Sequence, residues 1–126
     1  MKNAPYHAHI YFDAATRDGA QRLHEKLDVL CGPGGILFLG TLRDSPVGPH
    51  PKPQFEIHFL EGALDSVLPL IRHSGLAALV HPLTDDDLAD HTTLATWIGE
   101  PLALDLSVLD PPGHNQGVAR FGKSDF

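Results

Sequence analysis

Nine of the 126 residues are histidine, where ordinary usage gives about three in this length. They are not gathered into a tract at either end. His7 and His9 form a His-x-His pair, and Glu56 and His58 repeat that spacing further on. On a strand, alternate residues share one face, so each pair presents both side chains on one side. Imidazole nitrogen suits Zn, Fe, Cu and Ni, and histidine plus carboxylate with open positions suits non-haem Fe(II). The competing reading is a set of polar residues satisfied by hydrogen bonds on a solvated sheet face. Three further histidines bear on the choice: His50 in a proline-stiffened loop, His81 at the end of an apolar run, and His91 on the inward face of a helix.

The remaining chemistry-bearing residues point less sharply. His24 and His73 fall on helices beside charged residues, and His114 lies in a polar tail, so all three are expected in solvent. Cys31 ends an apolar helix face and reads as a small buried hydrophobe. The run Asp85 to Asp87 reads as acidic charge at a helix N-terminus. It lacks the spacing and closing Glu of an EF-hand. No Gly-rich phosphate loop, Gly-x-Ser-x-Gly elbow or Cys-x-x-Cys pair occurs.

The elements that must position the histidines follow from periodicity. Tyr6 to Phe12 alternates as a strand. Asp13 is the candidate N-cap of a helix carrying Ala20, Leu23, Leu27 and Leu30, with Gly32 as its stop. Ile36 to Leu42 and Gln54 to Leu60 read as the second and third strands. The loop between them has prolines at 46, 49, 51 and 53, which makes it extended and stiff. Leu64, Val67, Leu68 and Ile71 mark a second amphipathic helix that Pro69 should kink or delay, and Gly75 ends it. Leu76 to Pro82 is a fourth, nearly all-apolar strand. The order is that of a ferredoxin-like βαββαβ α+β fold, with strands one and three adjacent. A third helix is expected from Thr84–Asp87 to Gly99 and a fifth strand from Leu102 to Val108. Residues 113–126 read as a loosely ordered tail. If Ala8, Ile10, Phe12, Phe55, Ile57 and Phe59 take the helices, then His7, His9, Glu56 and His58 converge on the opposite face, with Cβ atoms about 5 Å apart across paired strands.

Composition removes other classes. The length fits one domain spanning 1–126. One cysteine cannot form an internal disulfide, which favours a reducing compartment. No apolar run approaches the ~18 residues of a membrane span, and no signal-peptide core follows the N-terminus. A net charge of −7 argues against nucleic acid.

Four blocks carry a resemblance. They are Tyr6-His7-Ala8-His9-Ile10-Tyr11-Phe12, Pro46-Val47-Gly48-Pro49-His50-Pro51, Leu79-Val80-His81-Pro82, and Asp90-His91-Thr92 followed by Trp97 and Gly99. In order and spacing they resemble the DOPA 4,5-dioxygenase family, over about residues 5 to 109. The resemblance implies a small cytoplasmic protein of ferredoxin-like fold that opens a catechol ring, such as that of L-DOPA, with O2 and a metal. Fe(II) is the metal implied, and Zn or Ni can enter such a site during purification. About three protein ligands leave open positions for catecholate and O2. We assign His7, His9 and His81 to the metal, because three adjacent strand positions make the most rigid frame. His50 is the acid/base candidate, with His91 supporting a ligand or the substrate. Exchanging His50 into the ligand set and His7 out of it is the alternative. Tyr11 and Trp97 are candidates for an aromatic wall, and Glu56 and His58, which lie outside the shared blocks, for substrate contact. Pairing of open sheet faces would give a homodimer. Two competing functions are a non-catalytic ferredoxin-like dimer that binds a small aromatic ligand, and a different metal-dependent reaction at the same histidines.

Overall fold

Apolar and polar residues alternate along the central strands, and the fold turns that alternation into two buried faces. A computed structural model describes residues 3–124. Five strands form one antiparallel sheet: β1 (Pro5–Tyr11), β2 (Ile36–Leu39), β3 (Gln54–Leu60), β4 (Ala78–Pro82) and β5 (Thr96–Ile98). Their order is β2-β3-β1-β4-β5, so β1 lies between β3 and β4. The ferredoxin-like arrangement and the adjacency of strands one and three are as the sequence led us to expect.

Helices α1 (Arg17–Asp28) and α2 (Leu64–Ser74) cover one face. Their Ala20, Leu23, Leu27, Val67 and Ile71 pack with Ala8, Ile10, Phe12, Phe55, Ile57 and Phe59 into one apolar cluster. Each large aliphatic side chain buried there contributes about 1.5–3 kcal/mol. Asp13 does not cap α1 itself. Its Oδ1 accepts from Thr16 N–H at 3.0 Å, which shapes the turn before the helix, and Thr16 takes the N-cap position. Gly35 closes the connection to β2, where a Cβ would fall 2.0 Å from the Leu30 carbonyl oxygen. Pro69 sits inside α2 without ending it. Pro69 and Asp65 are both exposed, so the Asp65 carbonyl that loses its partner faces water. Gly75 ends α2 in the left-handed conformation at φ 77°.

Two expectations require correction beyond β4. The third helix, α3 (Asp87–His91), is one short turn rather than a run to Gly99. The Thr92 hydroxyl donates to the Leu88 carbonyl at 2.6 Å, and the backbone leaves helical geometry at Thr92. The fifth strand is Thr96–Ile98, paired with β4, and not Leu102–Val108. In the latter stretch Asp105 Oδ1 accepts from the Ser107 N–H at 3.1 Å and hydroxyl at 2.6 Å, which curls Leu106–Val108 into a 3-10 turn.

The second sheet face is covered by the chain itself. Helix α3, the 100–111 segment and residues 113–124, including α4 (Gly117–Arg120), fold over it. In the described part of the tail Gly117 is buried, Asn115, Phe121 and Gly122 are half-buried and the others are exposed, and residues 125–126 lie outside the described residues. Cys31 is exposed rather than buried, where the chain turns after α1. His24 is half-buried, its Nε2 2.9 Å from the Gly40 carbonyl oxygen, whereas His73 and His114 are exposed as expected. Among the described residues no helix is long and apolar enough to cross a membrane.

Candidate metal centre

Strand register lays the polar residues out in rows. His7 lies between His58 on β3 and His81 on β4. One pair further along β1, His9 lies between Glu56 and Leu79, and Trp97 continues that row on β5. Tyr11 faces Gln54 at the end of β1. His50 reaches the patch from the proline-rich loop, which Asp105 N–H holds by donating to the Pro49 carbonyl at 2.8 Å. His91 reaches it from α3. All five histidines of the motif blocks are buried, with His9 only 1% and His81 0% exposed.

Hydrogen-bond partners decide which nitrogen of each ring carries the proton. His81 Nδ1 donates to the Pro82 carbonyl at 2.7 Å. His9 Nδ1 faces two acceptors, Gln54 Oε1 and Glu56 Oε1, each at 3.3 Å. His7 Nδ1 lies 3.5 Å from the same Glu56 oxygen. With Nδ1 protonated in all three, each Nε2 keeps its lone pair. His9 Nε2 and His81 Nε2 then face one another at 3.1 Å. His7 Nε2 is buried with no hydrogen-bond partner among the described residues. Ligand nitrogens of His7, His9 and His81 all lie within 4.8 Å of one another.

This donor set fits a metal ion. Two imidazole nitrogens bound at about 2.0–2.1 Å to one ion stand roughly 3 Å apart, and the carboxylate and carbonyls behind the rings are the usual orienting partners. A second grouping, His7, Glu56 and His58, is also close enough, but His58 has no lone pair to give. Its Nε2 donates to Glu56 Oε2 at 2.7 Å, while its Nδ1 accepts the Gly122 N–H at 2.9 Å. Both nitrogens are used, and the ring stacks on His7 at 4.0 Å with planes 3° apart.

Electrostatics keeps the ligand candidates neutral. Burial holds His7 and His9 well below the ordinary imidazole range, and the neighbouring imidazoles push the same way. Burial, with His91 adding to it, brings His50 and His81 down to about 3. His91 goes the other way. Burial would lower it, but Nδ1 donates to the Asp87 carbonyl at 2.8 Å with Asp87 Oδ1 at 3.3 Å, and these outweigh burial and raise its pKa.

A cleft of about 240 Å³ opens over the patch. Of the residues singled out from sequence, it is lined by His7, His9, His81, His91 and Glu56. His50, Tyr11 and Trp97 stand behind this lining. Tyr11 OH and His50 Nδ1 are 2.7 Å apart, and Tyr11 stacks on Trp97 at 5.9 Å. His58 lies beneath His7 and Glu56. Sequence reasoning missed Gln54 and the role of Asp87. Gln54 was within reach, since it occupies the position two before Glu56 on the same strand face.

Fold and site together define a ferredoxin-like α+β protein whose central strands carry a buried histidine cluster able to hold a metal ion. The model of the Dopa 4,5-dioxygenase family matches residues 6–108, and the chain belongs to that family. A "DOPA 4,5-dioxygenase" of Amanita muscaria is 33% identical over 111 residues. An uncharacterized 21.2 kDa protein of Botryotinia fuckeliana is 32% identical over 114 residues. Each alignment covers 82% of this chain, which spans 49% and 62%, respectively, of the length of those relatives. A crystal structure of a "putative dioxygenase" from Nostoc punctiforme superposes with a TM-score of 0.76 at 40% identity, covering 85% of this chain and 91% of that one.

Proposed function

We propose that the protein is a metal-dependent extradiol dioxygenase that cleaves a catechol with O2, using His7, His9 and His81 as metal ligands. One C–C bond beside the diol opens, and both oxygen atoms enter the product. The observation that carries this reading is the grouping of ligand nitrogens of His7, His9 and His81 within 4.8 Å of one another at an open cleft. Family membership supports the dioxygenase chemistry. A bound Fe(II) would supply Lewis acidity toward the catechol oxygens and redox capacity toward O2.

The chain's own residues do the rest. Glu56 and Gln54 hold the ligand rings in one tautomer. His91 lines the cleft with Nδ1 committed to Asp87, so Nε2 is the atom that accepts a catechol hydroxyl proton and later returns it. His50 is set back against Tyr11 and, neutral down to about pH 3, is the weaker base. We therefore give the acid/base role to His91 and a supporting one to His50, which reverses the assignment made from sequence.

The test is anaerobic reconstitution with Fe(II), followed by a panel of catechols with O2. A yellow ring-opened product that requires both iron and O2 supports the reading. Absence of stoichiometric metal and of turnover across the panel favours the non-catalytic aromatic-binding alternative. Turnover with Zn and without O2 favours a different metal-dependent reaction.

A further inference from the structure

The cleft has one wall that the family's matched span does not include. The match to the family model ends at residue 108, whereas Asn115, Gln116, Gly117, Arg120 and Ser124 line the cleft beside His7 and His9. This wall is anchored to the ligand-bearing strands. Gly122 N–H donates to His58 Nδ1 at 2.9 Å, and the Phe121 ring stacks on His58 at 5.6 Å and on His7 at 6.2 Å, within 10° of parallel to each. Asn115 Nδ2 donates to the Thr84 carbonyl at 2.7 Å. The backbone on both sides of Arg120 is therefore held against the site.

Among the described residues, Arg120 is the only lysine or arginine that lines the cleft. The three acids in the lining are each engaged elsewhere. Glu56 takes His58 Nε2–H, Asp87 Oδ2 takes the Asp110 N–H at 2.9 Å, and Asp110 Oδ2 takes the Gln116 N–H at 2.9 Å. Among the described residues none of them forms an ion pair with Arg120. A guanidinium presents a planar fork of N–H donors that matches a carboxylate.

We infer that Arg120 is a specificity-determining residue that reads a carboxylate on the side chain of the aromatic substrate. The inference rests on the proposed site for its aromatic half, and on the C-terminal wall for its anionic half. A catechol seated toward His7, His9 and His81 would then extend its substituent toward α4. Neutral catechols of the same size would lack that contact.

The experiment compares binding of 3-(3,4-dihydroxyphenyl)propanoate and its neutral methyl ester, measured by calorimetry without O2, on both metal-free and Fe(II)-loaded protein. The acid should bind about tenfold more tightly than the ester, as one charge-assisted contact in a partly solvated cleft provides. Arg120→Gln should erase that ratio, Arg120→Lys should keep part of it, and Lys123→Gln, which removes a charge from the same segment outside the lining, should leave it intact. The Arg120 Nε–H resonance should shift with the acid and not with the ester. If the Arg120-dependent preference persists while Fe(II) gives no ring-opened product, the inference stands and the proposed function fails. Equal affinities in the wild-type protein, a ratio that survives Arg120→Gln, or no binding of either compound to either form would each overturn it.

Discussion

The Nε2 atoms of His9 and His81 lie 3.1 Å apart, while His81 Nδ1 donates to the Pro82 carbonyl and His9 Nδ1 lies 3.3 Å from Gln54 Oε1 and from Glu56 Oε1. Two imidazole nitrogens bound to one metal ion at about 2.0–2.1 Å stand at much the same separation. The folded chain thus holds its rings in the arrangement a cation would impose. Removing either ring should remove the cation. His9→Ala and His81→Ala should each abolish stoichiometric Fe(II) binding, while His73→Ala, exposed on α2, should leave it unchanged. Metal analysis after anaerobic loading reads this, and full metal content in His9→Ala would refute the ligand assignment.

The same relationship predicts that a metal stabilises the fold. A divalent cation that binds only the native state adds about 2.7 kcal/mol at a hundredfold excess over its Kd. Thermal unfolding should shift upward on adding Fe(II) or Zn and return on adding chelator, with no shift in His81→Ala.

Proton transfer separates His91 from His50. His91→Gln should lower kcat by about 10²- to 10⁴-fold with metal content retained, and His50→Gln should cost far less. Asp87→Asn removes the charge that raises the His91 pKa, so burial is left to dominate and that pKa should fall. The acidic limb of the kcat profile should move to lower pH, which histidine NMR can follow independently. An unchanged His91 titration in Asp87→Asn would rule out the pairing.

Acid stability of the metal-free protein follows from the buried imidazoles. His7, His9, His50 and His81 have native pKa values below the unfolded value of about 6.5. Above pH 6.5 both states are neutral and these groups exert no pH dependence. As pH falls below 6.5, the unfolded chain gains protons that the native one refuses, and stability drops by about 1.4 kcal/mol per pH unit for each group. His91 has the opposite sign: its raised pKa favours the native state below 6.5, and that contribution is lost as pH rises through the native value. Below pH 6.5 the His91 contribution is constant, so the four buried rings with lowered pKa should by themselves make stability fall steeply between pH 6.5 and about 4. Denaturant midpoints across that range check it, and a flat profile would contradict the burial of these rings.

The central strands were legible because residues 6–12 and 54–60 alternate without interruption, and the same alternation places His7, His9, Glu56 and His58 on one face. Strand β5 has three residues, too few for a period to show, while the leucines from Leu102 to Leu106 mimic one that Asp105 breaks. The wall at residues 115–124 was illegible for a different reason. Its anchors join Phe121 and Gly122 to His58, some sixty residues away, and no local pattern records a contact of that range. Gln54 needed only the step from Glu56 back along its own strand.

Glu56 meets three imidazoles at once: Oε2 accepts from His58 Nε2–H at 2.7 Å, and Oε1 lies 3.5 Å from His7 Nδ1 and 3.3 Å from His9 Nδ1. Those three positions are therefore not independent variables. Substituting any one of them releases a share of the carboxylate to the others, so double-mutant cycles among them will not sum, and the energy assigned to each residue will depend on the order of removal. Natural variation at this site should accordingly travel in groups: a chain that loses the acid at position 56 must find new acceptors for two ligand rings together.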